Sequence, residues 1–317
     1  MIDKLLRDGN ALLEEKGRSF PLAAMEMANP LRTTREYFDA LQIELRVIDA
    51  TEAKTKTRVY GQELATPIMT AALSSLGRMF PDGAVTMAKG AAAAGALVWT
   101  GIGDADELKA IIDTGAKTIK ITKPYADTDL IFQRIAEAEQ LGAVAVGMDI
   151  DFVFGGKKGP PPFPMAPKTL DDIKAFVKAT KLPFILKGVL SESDTEKALR
   201  AGVSGIVVSH HGGAISDYTI PPLRILPRIA KLAAGRIPVF VDCGICRGLD
   251  AFKALALGAN AVCVGKAAMA GLAVAGADGV RQVIEGMTEE LRRAMSVTGS
   301  PDPEHIDPAV LWSPDRI

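Results

Sequence analysis

The feature that most constrains the fold is a repeated alternation of short apolar runs with longer amphipathic stretches, which begins near residue 65. Val and Ile are frequent in the runs, and each run is followed by enough residues for a helix. This pattern is typical of βα units that build a parallel sheet. Eight such units close into a barrel. The predicted strands are residues 66–72, 96–101, 118–123, 143–151, 183–189, 205–211, 238–244 and 261–265.

The predicted fold class is therefore α/β, a (β/α)8 TIM barrel with a short N-terminal helical extension. A doubly wound open sheet also alternates strands and helices, but its reversal of strand order cannot be recognised in a single sequence, and it stays an alternative. We expect residues 1–64 to form a helical layer and connecting segment of the same domain, with Gly61 in a turn. Residues 65–300 would form the barrel, and residues 301–317 a C-terminal tail.

Composition and charge exclude several classes of protein. Of the 317 residues, 48% are hydrophobic and 24% are charged, which suits a globular chain with a large core. The formal net charge is −1 with interspersed signs, so we expect no nucleic-acid binding. No apolar run is long enough for a signal peptide or a membrane span, so we expect no membrane association. Three cysteines do not suggest a disulfide framework, and we expect a cytoplasmic location.

Polar residues stand at or just after the carboxyl ends of several predicted strands, where barrel enzymes place their chemistry. A buried charge at such a place needs a partner or a ligand, because isolated charges in a core are costly. Residues 152–167, rich in Gly and Pro, form a predicted loop at the same face. The polar residues are Asp149, Asp151, Lys187, His210, His211 and Asp242.

The strongest local signal is residues 207–213, an apolar run that ends in two histidines and two glycines. A histidine can cap the strand while the glycines form a tight turn. Alternatively, a histidine can act as a base near neutral pH while the glycines let a ligand approach the backbone. The segment alone leaves both interpretations open.

Six segments occur in the order and spacing of one enzyme family. They are residues 67–74, 81–83, 142–151, 182–189, 209–218 and 242–259. Together they resemble the FMN-dependent α-hydroxy-acid oxidases and dehydrogenases, such as glycolate oxidase and lactate oxidase. The similarity includes the strand-five lysine, the His-Gly-Gly segment and the phosphate-binding strand seven, and it covers roughly residues 40–300.

The resemblance implies FMN as the cofactor and suggests a role for individual residues. His211 would be the catalytic base, Asp151 would orient it and favour its protonated form, and Lys187 would stabilise negative charge on the reduced flavin. The implied phosphate site contains Gly244, Arg247, Gly265 and Lys266. Further implied cofactor contacts are Ala71, Ala72, Ser74, Thr100, Lys120, Asp149, Ser209, Gly212 and Asp242.

The sequence departs from the family mainly on the substrate side. Relatives have an arginine for the substrate carboxylate directly after the two glycines, where this chain has Ala214. Lys158 aligns with a second substrate arginine, and lysine offers a point charge in place of a two-pronged group. The strand-three Gln-x-Tyr pair aligns with Lys120 and Thr122, to within one residue. His211, Lys158 and Thr122 are thus the implied substrate contacts.

The phosphate segment departs as well. Cys246 replaces the first arginine of a family pair and Lys266 replaces another, so we expect weaker FMN binding that relies more on backbone amides. Cys243 and Cys246 also have the C-x-x-C spacing of redox dithiols and metal sites. Because no second cysteine pair accompanies them, we predict no metal.

The resemblance implies an FMN-dependent oxidoreductase that oxidises an (S)-2-hydroxy acid or related alcohol to the 2-oxo product. His211 would be the base and flavin N5 the hydride acceptor. Because of Ala214, an FMN-dependent isomerase or ene-type reductase stays an alternative. A barrel that binds a phosphorylated metabolite and no flavin is another. A small-molecule substrate is expected, and a homo-oligomer is implied by resemblance alone.

Overall fold

The computed structural model describes residues 2–15, 28–153 and 164–313. Before the barrel lie two helices, α1 and α2, a short strand β1, and a hairpin of β2 and β3. Their bounds are α1 Ile2–Glu15, α2 Ala28–Ala40, β1 Gln42–Ile43, β2 Thr57–Val59 and β3 Gln62–Leu64. Gly61 lies in the hairpin turn with φ +76°, as the predicted turn requires, whereas the hairpin itself was not predicted.

Eight parallel strands form the barrel predicted from the alternation. They are β4 Ile68–Thr70, β5 Val98–Thr100, β6 Thr118–Thr122, β7 Ala145–Asp149, β8 Phe184–Val189, β9 Gly205–Val208, β10 Val239–Val241 and β11 Ala261–Val264. The last strand, β11, pairs with the first, β4. A bridge between Leu73 and Thr100 brings β4 next to β5. The barrel is confirmed, and the open-sheet alternative is wrong because the first and last strands are neighbours.

A helix follows each barrel strand. These helices are α3 Gly83–Ala93, α4 Ala105–Ile112, α5 Thr128–Gln140, α6 Leu170–Lys178, α7 Glu192–Ala201, α8 Pro222–Ala233, α9 Gly248–Ala256 and α10 Lys266–Val297. Four of these helices begin after an N-cap residue whose side chain accepts a backbone N–H of the first turn. These N-cap residues are Asp104, Asp127, Thr169 and Ser191. After α10, β12 (Leu311–Trp312) pairs with β1. None of the described helices is long and apolar enough to cross a membrane.

Side-chain alternation along the strands divides the core in two. One face of each strand packs against the helices, while the other fills the barrel with residues such as Met69, Trp99, Ile121 and Phe240. Trp99 and Phe240 meet edge to face, with ring centroids 5.1 Å apart. The inward-facing positions at the carboxyl ends of the strands follow the same alternation and form the layer described next.

Candidate active site

A layer of mainly polar and small residues closes the carboxyl-terminal end of the barrel, directly above the apolar interior. Each strand contributes the position two residues after an inward-facing apolar one, because side chains alternate between the two faces. The layer consists of Ala71, Gly101, Lys123, Asp149, Lys187, Ser209, Asp242 and Gly265. Gly101 and Lys123 are the members that sequence analysis did not single out.

Four charged members of this layer form a buried ion network. The Nζ atom of Lys187 lies 3.0 Å from an Asp149 oxygen and 3.4 Å from an Asp242 oxygen. Lys123 Nζ lies 2.6 Å from the other Asp149 oxygen. All four side chains are almost completely buried, so each charge depends on its partners.

The network determines the charge state of its members. Burial by itself would raise the pKa of Asp149, but Lys123 and Lys187 outweigh burial and hold that pKa well below its usual range. Burial would also raise the pKa of Asp242, and Lys187 with neighbouring hydrogen bonds lowers it instead. For Lys187, Asp149 and Asp242 outweigh burial and raise the pKa well above its usual value. Two carboxylates and a lysine therefore stay ionised at neutral pH.

His211 stands beside this network and is held by Asp151. Its Nδ1 lies 3.0 and 3.2 Å from the two Asp151 oxygens, and 3.9 Å from Asp149 Oδ1. Because carboxylates only accept, Nδ1 is the nitrogen that carries the proton, and Nε2 is the acceptor of the neutral ring. The Phe152 ring lies 5.0 Å from the imidazole, and Lys123 Nζ lies 4.0 Å above Phe152.

The backbone at His211 is unusual. Its φ of +54° lies in the left-handed region, which non-glycine residues seldom adopt, and Gly212 and Gly213 follow with φ of +66° and +78°. The His211 N–H donates to Ser209 Oγ at 3.0 Å, which helps to hold the turn. Such backbone strain persists where surrounding structure enforces it, and it clusters at functional sites.

The neighbouring His210 has a structural role. Its Nδ1 accepts the Gly213 N–H at 3.0 Å, so Nε2 carries the proton and donates to Thr34 Oγ1 at 2.8 Å. Burial lowers the pKa of His210, which keeps the ring neutral. His210 therefore joins helix α2 to the turn that presents His211.

An open cleft of about 1050 Å³ extends from His211 across the end of the barrel. Nine of the residues that sequence analysis assigned to the site line it: Ala71, Ala72, Lys187, His211, Gly212, Asp242, Gly244, Gly265 and Lys266. Other residues that line the cleft were not predicted as contacts, among them Leu31, Arg35, Leu73, Cys243, Cys263 and Met269. Leu31 and Arg35 come from α2, so the N-terminal layer forms one wall of the cleft.

The chain matches a known protein family over most of its length. The family model described as FMN-dependent dehydrogenase matches residues 12–160 and 164–313. The chain belongs to the family of FMN-dependent dehydrogenases. FMN is accordingly its cofactor, which excludes the alternative of a barrel without flavin.

Individual relatives agree with this membership. A peroxisomal (S)-2-hydroxyacid oxidase of Arabidopsis thaliana is 30% identical over 295 residues, which cover 82% of this chain and 81% of that protein. A 2-hydroxyacid oxidase of Dictyostelium discoideum is 41% identical over 148 residues, which cover 47% of this chain and 38% of that protein. A crystal structure of mandelate oxidase superimposes with a TM-score of 0.87 at 29% identity, covering 97% of this chain and 98% of that one.

The cleft of this FMN-dependent dehydrogenase fits its cofactor in both charge and shape. Apolar side chains of Leu31, Leu73 and Met269 suit a flat aromatic ring system, and the buried Lys187 ammonium lies at the same cleft. Gly265 precedes the N-terminus of α10, and the first-turn N–H groups and the dipole of a helix attract a phosphate. Apolar walls, a cation and a helix N-terminus are the elements that an FMN molecule requires.

The two thiols of the C-x-x-C segment are half-buried in the wall of the cleft. Cys243 Sγ accepts the Gly212 N–H at 3.2 Å and donates to Asp242 Oδ1 at 2.9 Å. Burial raises the pKa of both the Cys243 and Cys246 thiols. A redox dithiol or a metal ligand requires a thiolate, which this environment disfavours.

The structure places Arg247 outside the cleft, which corrects its predicted phosphate contact. Its guanidinium lies 3.1 Å from Glu290 on α10 and 3.4 Å from Asp3 on α1. These two carboxylates hold the arginine on the helical side of the phosphate segment. Only long-range packing of α1 and α10 determines this direction.

The register of β6 corrects the predicted contacts of Lys120 and Thr122. Ile119 and Ile121 fill the barrel interior, so Lys120 and Thr122 face the surrounding helices. Lys120 Nζ donates to the carbonyl oxygens of Gly101 and Gly103 at 2.7 and 3.0 Å. A shift of one residue exchanges the two faces of a strand, and Lys123 consequently takes the inward position.

The other predicted contacts lie behind or beyond the cleft. Ser74 Oγ accepts the Ile102 N–H at 2.7 Å, and Thr100 is buried in β5. Asp149, Asp151 and Ser209 support Lys187 and His211 from behind. Ala214, which replaces the family arginine, is buried at the end of the short 3₁₀ helix His211–Gly213. Lys158 lies outside the described residues.

The position of Lys120 predicts a pH dependence of stability. Burial lowers the pKa of Lys120 to about 8 from its usual 10.5. Between these two pKa values the unfolded chain binds more protons than the folded chain. The contribution of Lys120 to the free energy of unfolding therefore rises with pH. Relative to Lys120→Met, the wild type should gain about 2 kcal/mol between pH 7 and about pH 9.5. Urea unfolding of both proteins measures this difference, and a constant difference would contradict the assignment.

Proposed function

We propose that this chain oxidises a small (S)-2-hydroxy acid to the corresponding 2-oxo acid with FMN as the electron acceptor. The single observation that carries the proposal is the His211–Asp151 contact of 3.0 Å at the edge of the cofactor cleft. The names of the relatives, 2-hydroxyacid oxidases and mandelate oxidase, support the substrate class.

His211 is the base in this proposal. Asp151 holds Nδ1–H and leaves Nε2 to accept the proton of the substrate hydroxyl group. The Asp151 carboxylate then stabilises the imidazolium that forms. FMN, when bound, supplies the hydride acceptor at N5. Phe152 and the left-handed turn restrict rotation of the imidazole and keep Nε2 in one orientation.

Lys187 is the electrostatic partner of the cofactor. Asp149 and Asp242 hold its ammonium group in place, so no reorganisation is needed when negative charge develops in the cleft. A fixed cation in a buried site stabilises such charge more strongly than a cation in water does.

The charges around His211 favour a second candidate substrate class. Lys123 and Lys187 contribute two positive charges, while Asp149, Asp151 and Asp242 contribute three negative ones. With neutral His211 this group carries a net charge of −1, and Ala214 adds no cation. An alcohol without a carboxylate next to the hydroxyl carbon would meet less repulsion than a hydroxy acid.

Anaerobic mixing with matched substrates tests the proposal. Glycolate, lactate and mandelate are each compared with the corresponding primary amide, and bleaching of the flavin absorbance reports reduction. We expect at least one hydroxy acid to bleach the flavin faster than its amide. Faster bleaching by the amides would favour the uncharged alcohol. Turnover of an added substrate without bleaching would support an isomerase in place of an oxidase.

The three cysteines bear on the location of the protein. Cys243, Cys246 and Cys263 are free, which supports a reducing compartment such as the cytoplasm.

Four exposed apolar residues lie near the β1–β12 pair. They are Leu45, Val47 and Ile48, which follow β1, and Trp312 in β12, and each is at least 60% exposed. These apolar side chains support a homo-oligomer, which light scattering of the purified chain measures.

A further inference from the structure

The phosphate end of the cleft lacks the arginine side chain that its sequence position predicts. Cys246 stands at that position, and Arg247 is held on the far side by Glu290 and Asp3. Asp250 accepts the backbone N–H groups of both Cys246 and Arg247, at 3.0 and 3.1 Å, so neither amide is open to a phosphate. The segment therefore needs a cation from elsewhere in the fold.

Helix α2 brings a guanidinium to this place. Arg35 lines the cleft, and its two terminal nitrogens bind Asp250 in a two-pronged contact at 3.1 and 3.0 Å. The same Asp250 carboxylate orients the backbone of the phosphate segment. Arg35 is thus joined to that segment through one buried carboxylate, and a second, longer contact of 3.4 Å reaches the Gly244 carbonyl.

Packing of α2 against the segment leaves little freedom for this arrangement. Gly244 has φ +80°, and a Cβ atom built there would lie 2.6 Å from Thr34 and 3.0 Å from Phe38. Thr34 in turn binds His210. Both neighbours belong to α2, so the glycine permits a close approach that carries Arg35 to the cleft.

Two cations, Arg35 and Lys266, line the cleft together with Cys246. Burial and Asp250 raise the pKa of the Cys246 thiol, while Arg35 and Lys266 act in the opposite direction. Arg35 and Lys266 are therefore the positive charges next to the side chain that replaces the family arginine. Lys266 begins α10, so these two residues and the helix N-terminus converge on one end of the cleft.

We propose that Arg35, from the N-terminal helix, binds the FMN phosphate in this chain in place of the arginine that Cys246 replaces. The proposal rests on FMN as the cofactor. Arg35 also contacts Asp39, one helical turn along α2, at 2.9 Å. Because 66% of the Asp39 side chain is exposed and such helix-surface pairs are weak, the phosphate displaces this contact and retains the buried one to Asp250.

Titration of the apoprotein with FMN and with riboflavin tests this role, because riboflavin lacks only the phosphate. For Arg35→Met we expect the dissociation constant of FMN to rise about 10- to 100-fold, as for loss of a charged hydrogen bond, while that of riboflavin stays the same. Asp39→Asn should lower the dissociation constant of FMN selectively, because it removes a competing carboxylate. Arg32→Met, an exposed arginine on the same helix, is the matched control and should change neither constant.

The outcomes separate phosphate binding from a structural role. Equal weakening of FMN and riboflavin by Arg35→Met would mean that Arg35 only anchors α2, and it would overturn the proposal. An unchanged FMN affinity in Arg35→Met would do the same. If Arg35→Met does not fold, Asp39→Asn decides: selective tightening of FMN supports the proposal, and any other result overturns it.

Discussion

Replacement of His211 by asparagine is expected to abolish reduction of bound FMN by the substrate while FMN remains bound. Asparagine tolerates the left-handed backbone that His211 adopts at φ +54°, so the turn before Gly212 is preserved. Its amide cannot accept the hydroxyl proton, and loss of a general base costs on the order of 10²- to 10⁴-fold in rate. Anaerobic stopped-flow absorbance measures the rate, and flavin absorbance per chain measures occupancy.

His210 supplies the matched control, because it is the adjacent residue and is also a histidine. His210→Asn removes the contact to Thr34, so it should lower stability, yet the rate of flavin reduction should stay within a few-fold of wild type. A similar loss of reduction in both variants would show that the turn matters and not the base. Unchanged reduction in His211→Asn would remove this residue from the mechanism.

Replacement of Lys187 by methionine should have the largest effect on stability. It leaves Asp149 with Lys123 as its one lysine partner and removes the only ion-pair partner of Asp242 among the described residues. Breaking a buried pair in this way costs about 3–5 kcal/mol, because a charge remains buried without its partner. Urea unfolding at pH 7 measures the loss. Lys123→Met is the comparison and should cost less, since Asp149 keeps Lys187.

The sign of the pH dependence identifies the mechanism of that loss. In the wild type, lowered pKa values of Asp149 and Asp242 contribute stability above their usual range, and this stability is lost as pH falls. Without Lys187, burial raises the pKa of Asp242, so the variant loses stability as pH rises. The deficit of Lys187→Met should therefore be greater at pH 8 than at pH 5, and Lys187→Met/Asp242→Asn should recover part of it. A deficit independent of pH would contradict this account.

The fold could be predicted because its signal is local and repeated. Each of the eight predicted strands contains an observed one, although β4, β5 and β10 are three residues long where six or seven were predicted. The predicted strands are too long because apolar residues continue past the hydrogen-bonded part of each strand. The mouth of the barrel also buries residues that do not pair with a neighbouring strand. The hairpin of β2 and β3 was missed because its alternation is short.

The candidate site could be predicted where function depends on residues at strand ends. Lys187, His211, Asp151 and Asp242 were singled out from their positions. Lys187 and Asp242 lie in the buried ion network, and the His211–Asp151 pair lies beside it. Arg247 was misplaced, because the direction of a long side chain depends on Glu290 and Asp3, which are far away in sequence. Arg35 was missed for a related reason: nothing in α2 itself indicates that it approaches residues more than 200 positions later.

By itself, the sequence determined the barrel, the FMN-dependent family and the strand ends that carry the polar residues, because all three are written in periodicity and in short motifs. Only the tertiary structure decided which face of β6 enters the barrel, and hence that Lys123 and not Lys120 joins Asp149. It also decided that α2, and not the segment at Cys246, brings a guanidinium to the end of the cleft where Lys266 lies. Both outcomes depend on strand register and helix packing, which link residues distant along the chain.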